Sequence, residues 1–215
     1  VQFTLIMDSN QQPEPEDEEC SICLDSLPRN TSKFARATCC GKGMHIKCRD
    51  GVLVSSMSFK QKNHCVMCRT EYPGSDEEDI EQLRPWVEKG KAWAQCMLGA
   101  RYRNGAGVDQ SYQQARELFE LSASQGYASA QYELGIIYER GHGVDQSYER
   151  AKEYYEAAAR QGQAEAQYNL GLLYYNGQGV EQSNETARKW MIKSAEQGDE
   201  DAIGALQILD KKEGR

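Results

Sequence analysis

The chain has 215 residues, 25 Lys+Arg against 33 Asp+Glu, a formal net charge of -8 and 39% hydrophobic residues. That length suits two small domains, and the acidic balance sets the molecule as a whole against nucleic acid and anionic lipid. Eight cysteines, seven of them between Cys20 and Cys68, call for either a disulfide framework or metal.

Val1 to Met7 is the longest apolar stretch near the start; it is far too short to span a bilayer and has no basic leader. The chain does not begin with Met, so a fragment or a truncated gene model is the expectation. Residues 8–19 hold Pro13, Pro15 and the run Glu16-Asp17-Glu18-Glu19, and residues 1–19 are predicted to be a disordered acidic lead-in.

Residues 20–70 carry Cys20-x-x-Cys23, Cys39-Cys40, His45-x-x-Cys48 and Cys65-x-x-Cys68. These eight ligands are enough for two tetrahedral Zn2+ sites. The odd cysteine count and the Cys-x-x-Cys pairs argue against an oxidised framework, which predicts a reducing, intracellular compartment, cytoplasmic or nuclear. So short a segment with few large apolar residues cannot build a sufficient core, and each structural zinc would add on the order of 10 kcal/mol. Nine Lys+Arg against two Asp+Glu give the segment +7 formally; seven bound thiolates and two zinc ions lower this to about +4. No nucleic-acid partner is expected from that charge.

The ligand order resembles that of the RING finger, a small zinc-stabilised α+β fold. The resemblance implies that Cys20, Cys23, His45 and Cys48 share one zinc and Cys39, Cys40, Cys65 and Cys68 the other; pairing of consecutive knuckles is the alternative connectivity. Lys42 stands where the family usually has a histidine ligand. Lysine is protonated at neutral pH, so Cys39 is the expected replacement, with His64 the alternative. Such domains act as ubiquitin ligases by holding a ubiquitin-charged conjugating enzyme. By the same resemblance Ile22 and Leu53 contact that enzyme, and Arg69 is the linchpin between it and ubiquitin. Val66 occupies a position where active ligases commonly have proline.

After Pro73-Gly74-Ser75 the chain turns helical and periodic. Leu98, Leu134 and Leu170 are 36 residues apart, and Gly105/Gly141/Gly177, Gly107/Gly143/Gly179, Ala115/Ala151/Ala187 and Gly126/Gly162/Gly198 keep that step. A fixed period of this size predicts stacked two-helix units. In the middle unit the first helix is predicted to bury Ala130, Leu134, Ile137 and Tyr138, and the second Ala151, Tyr154, Tyr155 and Ala158. Ser111, Ser147 and Ser183 sit at N-cap positions, and Ser111 with Gln114 matches a capping box. Gly135 and its equivalents are expected to let paired helices approach closely.

These motifs resemble the Sel-one-like repeat, a relative of the tetratricopeptide repeat. The resemblance gives an all-α solenoid of helix-turn-helix units over 92–126, 128–162 and 164–198. Residues 71–91 are expected to form a linker and capping half-repeat, in which Ile80, Leu83 and Val87 face inward and Pro85 kinks or interrupts the helix. A degenerate capping unit and tail, 199–215, packs through Ala202, Leu206 and Leu209. Cys96, in the place of Tyr132 and Tyr168, reads as a packed thiol; His142 reads as a solvated turn residue, and the tyrosines as core.

The repeats hold no evident catalytic constellation and are expected to offer a concave face to protein or peptide partners. Two functions follow. One is a RING-type ubiquitin ligase with a repeat scaffold that recruits substrate. The other is a non-catalytic adaptor whose zinc domain is structural.

Overall fold

The computed structural model describes residues 34–36, 43–45 and 74–214. Phe34–Arg36 (β1) and Gly43–His45 (β2) pair antiparallel, with Phe34 opposite His45 and Arg36 opposite Gly43. From Asp76 onward come eight helices: α1 (Asp76–Glu88), α2 (Ala92–Asn104), α3 (Tyr112–Ser124), α4 (Ala128–Arg140), α5 (Tyr148–Arg160), α6 (Ala164–Asn176), α7 (Asn184–Ala195) and α8 (Glu200–Glu213).

Two kinds of helix alternate, and their ends differ for a chemical reason. Helices α1, α3, α5 and α7 start on Ser75, Ser111, Ser147 and Ser183, whose hydroxyls accept from the N–H groups of Glu78, Gln114, Arg150 and Thr186 at 3.2–3.3 Å. Each hydroxyl satisfies one amide that the first turn leaves without a helical partner. The predicted capping box at Ser111 is only half made, because its own N–H donates to the Tyr102 carbonyl at 2.9 Å. Helices α2, α4 and α6 have no side-chain N-cap bond and stop on Gly105, Gly141 and Gly177 at φ 68–69°. Left-handed backbone is cheap only for glycine, so these residues end the helix and turn the chain.

The glycine-ended α2, α4 and α6 are the first-type helices, each opening a unit, and each packs between two of the serine-capped second type. Leu134 and Ile137 of α4 join Ala115 and Phe119 of α3 in one cluster. On the other side Tyr138 joins Ala151, Tyr155 and Ala158 of α5 and Leu170 and Leu173 of α6. The buried set anticipated from the periodicity is thus found, with Tyr154 only half-buried. Closest approach within a unit occurs at glycine: a Cβ on Gly135 would lie 2.4 Å from the Tyr155 ring, and one on Gly99 or Gly171 under 3.0 Å from Phe119 or Met191. Between units, a Cβ on Gly179 would lie 2.6 Å from the Tyr148 backbone.

Polar side chains fix the register of these contacts. Gln125, Gln161 and Gln197 donate to the side-chain oxygens of Gln95, Gln131 and Gln167 at 2.7–2.9 Å. Gln110, Gln146 and Gln182 donate to the carbonyls of Arg103, Glu139 and Tyr175. Ser122 and Ser194, both fully buried, reach the carbonyls of Ala92 and Ala164. A buried polar atom without a partner costs about 1–3 kcal/mol, so the bonds of the buried Ser122 and Ser194 penalise a slipped packing most, and the exposed Gln110, Gln146 and Gln182 bonds little.

The ends of the array are half-units. Ser75 precedes Ser111 by the same 36 residues, and α1 occupies the place of a second-type helix. Its Ile80 and Leu83 are buried with Trp93, Ala94 and Leu98 of α2. Pro85 does not interrupt the helix as expected: α1 continues to Glu88, and the Pro85 carbonyl accepts from Lys89. Proline in the last turn removes only one ladder bond. At the far end α8 buries Ala202 and Leu209, leaves Leu206 half-buried, and exposes Ile203 and Ile208. Its Asp210 pairs with Arg188 of α7 at 2.6 Å.

Gly135→Ala is expected to destabilise the array by about 1–3 kcal/mol through overpacking against Tyr155. Gly204→Ala, which meets nothing within 4 Å, should be neutral or gain up to about 1 kcal/mol from helix propensity. Urea denaturation of the two variants beside wild type measures the contrast.

Candidate functional site

Helices α4 and α6, the first helices of consecutive units, together line a groove of about 560 Å3. Ile136 and Leu172 supply its apolar wall, Tyr132 and Tyr148 its rings, and Glu139, Arg140, His142, Gln146 and Asn169 its polar atoms. The helical period explains the grouping: Tyr132, Ile136 and Glu139 lie at i, i+4 and i+7 on one stripe of α4, while Leu134, Ile137 and Tyr138 face the core.

Beneath the groove runs a network of phenols. The Tyr155 hydroxyl, on a fully buried residue, donates to Glu139 at 2.5 Å. The Asn169 side chain lies near the hydroxyls of both Tyr155 and Tyr132, whose rings are 5.9 Å apart. Burial pushes the Tyr132 phenol up to about 12, with the carboxylates of Glu133, Glu165 and Glu139 adding to the effect. Burial raises Tyr155 further, and Glu139 adds to that as acceptor and as charge. Both phenols are therefore neutral hydrogen-bonding groups at physiological pH.

One junction earlier, the same two positions hold a different pair. Arg103 and Glu133 form an ion pair between α2 and α4, with side-chain exposures of 27% and 16%. Burial raises the Glu133 carboxyl above its ordinary value, against the lowering pull of Arg103 and, more weakly, Arg140. Cys96 lies close enough for its thiol to feel both charges, and burial drives its acidity down strongly, as suits a packed thiol.

Of the site residues inferred from the cysteine pattern, Cys20, Cys23, Cys39, Cys40, Cys48, Cys65 and Cys68, with Ile22, Leu53, His64 and Arg69, lie outside the described residues. His45 ends β2, and only its backbone is described. Among the described residues no group of three or more His, Cys, Asp or Glu side chains could hold a metal ion, and no helix is long and apolar enough to cross a membrane.

Two expectations about the repeats change. His142 is half-buried rather than solvated, its ring 4.7 Å from that of Tyr112 in the preceding unit. Tyr132 and Tyr148 pack half-buried against the core cluster and also line the groove. Glu139 and Asn169 were not singled out from the sequence, although the repeat alignment carries a signal. The 36-residue register reads Arg103, Glu139, Tyr175 and Met97, Glu133, Asn169 at two positions where the surrounding scaffold hardly changes.

The chain matches the Sel1 repeat family over residues 94–127, 128–163 and 164–199. Residues 94–199 are Sel1 repeats. Among solved structures the chain is similar to a protective antigen of uropathogenic Escherichia coli strains displaying an SLR fold, at 37% identity and TM-score 0.63 over 66% of this chain and 30% of that one. It is also similar to a Sel1 repeat protein from Oxalobacter formigenes, at 31% identity and TM-score 0.57 over 59% of this chain and 52% of that one. The alignments thus cover no more than about half the length of either protein. Comparison with curated proteins gave no match. The half-unit ends of the array, α1 and α8, extend it beyond the three matched repeats.

Replacing Arg103 with Ala leaves the Glu133 carboxylate half-desolvated without its ion-pair partner, and is expected to cost about 2 kcal/mol at pH 7. A carboxyl whose folded pKa is raised binds more protons folded than unfolded, so its charge penalises the fold above the ordinary carboxylate range and is relieved below it. The deficit of Arg103→Ala should therefore shrink from pH 7 to about pH 5. Urea melts of Arg103→Ala beside an Arg103→Ala/Glu133→Gln double variant check this, the double variant losing that pH dependence.

Proposed function

We propose that this chain is an adaptor. Its Sel1 array holds one protein partner on the α2/α4/α6 side, and its cysteine segment, folded on two Zn2+ ions, supplies a second docking module. The observation that carries the reading is the groove between α4 and α6, where residues that vary from unit to unit sit on an otherwise repeated scaffold. A surface built this way has a constant frame and a unique local chemistry, which is what selective recognition needs. Thiols kept as zinc ligands would suit a reducing compartment, cytoplasm or nucleus.

A second reading is favoured by the ligand order from Cys20 to Cys68 together with Ile22 and Arg69. In it the zinc module is a RING that binds a ubiquitin-charged conjugating enzyme, and the array presents the substrate. Such a ligase would act by positioning the thioester and the attacking lysine, with no covalent intermediate on this chain. Arg69 suits the linchpin role because a guanidinium offers several donors in one plane.

A photo-crosslinking residue at Tyr132 should give discrete adducts with a partner protein in cells, and the same residue at exposed Glu153 of α5 should not. Equal labelling from both positions would refute the groove as the interaction face. The zinc module is tested by metal content, expected at two Zn2+ per chain, with one ion lost in Cys39→Ser and both retained in His64→Ala. Autoubiquitination across a broad panel of conjugating enzymes, abolished by Ile22→Ala or Arg69→Ala, would make the protein a ligase. Silence with every enzyme leaves the adaptor.

A further inference from the structure

We propose that the α4–α6 groove selects its partner through a lysine or arginine side chain, held by the Glu139 carboxylate against the Tyr132 ring. This rests on the reading of the groove as the partner-binding face and names what that face recognises.

Three carboxylates, Glu133, Glu139 and Glu165, lie close enough to Tyr132 for each to act on its phenol. Only Glu133 is neutralised from within, by Arg103. Glu165 accepts a neutral bond from Gln163 at 2.9 Å, and Glu139 a neutral bond from Tyr155. Among the described residues neither meets a cation. Arg140 lies on the rim, exposed, and its field acts on Glu133. His142 packs on Tyr112. Within the groove lining, Glu139 is thus a carboxylate fixed by a neutral donor and bonded to no cation, with Glu165 near the same phenol and the Arg140 guanidinium at the rim.

Geometry gives these charges a specific use. Tyr155 holds Glu139 from below by its hydroxyl and packs its ring against that of Tyr132, so the carboxylate is oriented before any ligand arrives and binding need not order it. An aromatic face beside a carboxylate attracts a cation twice, through the ring quadrupole and through the charge. Ile136 and Leu172 provide an apolar wall for the methylene stem of a long basic side chain. An acidic or phosphorylated side chain placed against the Tyr132 ring would meet repulsion from Glu139. The adjoining junctions lack this set: Arg103 and Glu133 neutralise each other at one, and Tyr175 and Ala205 replace Glu139 and Asn169 in register at the other.

The test is selection of a random dodecapeptide phage library on the full chain, followed by fluorescence anisotropy of the enriched peptides with wild type and variants. The enriched peptides should share a Lys or Arg beside apolar residues. Their affinity should fall about tenfold or more in Glu139→Gln, which keeps an acceptor for the Tyr155 hydroxyl but removes the charge. Glu153→Gln, exposed on α5, should bind within twofold of wild type. Peptides without a basic residue, or unchanged affinity in Glu139→Gln, would overturn the proposal. If such peptides still lose binding in Ile136→Asp, the groove remains the interaction face and only the basic selectivity fails. If no peptide is enriched, or those enriched are insensitive to both changes, the groove reading fails with it.

Discussion

Everything in the array depends on two helices coming close enough for a large side chain to lie on a backbone. The Tyr155 ring occupies the space where a Cβ on residue 135 would be, and Phe119 and Met191 do the same at Gly99 and Gly171. Glycine inside a helix costs about 1 kcal/mol relative to alanine. That cost is offset by burying a whole aromatic side chain at van der Waals contact, and Tyr155 and Phe119 are both fully buried. Because the same contact recurs in each unit, one local solution fixes the geometry of the whole stack.

Apolar packing alone would tolerate sliding, and polar bonds remove that freedom. The glutamine pairs at one end of each unit and the glutamine-to-carbonyl bonds at the other tie the two helices at both ends. Among the described residues α1 and α8 each pack chiefly on one neighbouring helix, and each does so in its own way. At the amino end a second-type helix, α1, covers α2, and the Arg101 guanidinium bonds Asp76 and Asp79 of its acidic first turn. At the carboxyl end α8 has Gln207 in register with Gly171 and Asp210 in register with Tyr174, so a bulky side chain stands where the inner helices have their close-approach glycine, and Asp210 bonds Arg188 of α7.

How far this was legible in the sequence differs between scaffold and site. Leu134, Ile137, Tyr155 and the serine caps follow from period and chemistry, since burial and capping repeat with the chain. The continuity of α1 through Pro85 did not follow, because the cost of a proline depends on its distance from the helix end. Groove residues were harder for a related reason. Tyr132 and Tyr155 look alike in a pattern of aromatics, yet one lines the groove and the other is fully buried beneath it. Which is which depends on the turn of the helix relative to its neighbours on both sides. The cysteine segment is the opposite case, where spacing speaks for a zinc fold and the described residues do not reach the ligand side chains.

A repeat scaffold acquires specificity by breaking its own symmetry at few positions. In register, Arg103, Glu139 and Tyr175 are one position, and Met97, Glu133 and Asn169 another. The pair Arg103 and Glu133 spends its charge internally across one junction, contributing to stacking rather than recognition. Shifted by one unit, the same two places hold a carboxylate and an amide, and both turn to the phenols of Tyr132 and Tyr155. The consequence is a division of labour along an otherwise uniform array: one junction closes on itself, and the next presents a fixed negative group to whatever docks. Glycine approach and glutamine bonds keep the backbone the same at both, so the difference in function resides in side chains alone.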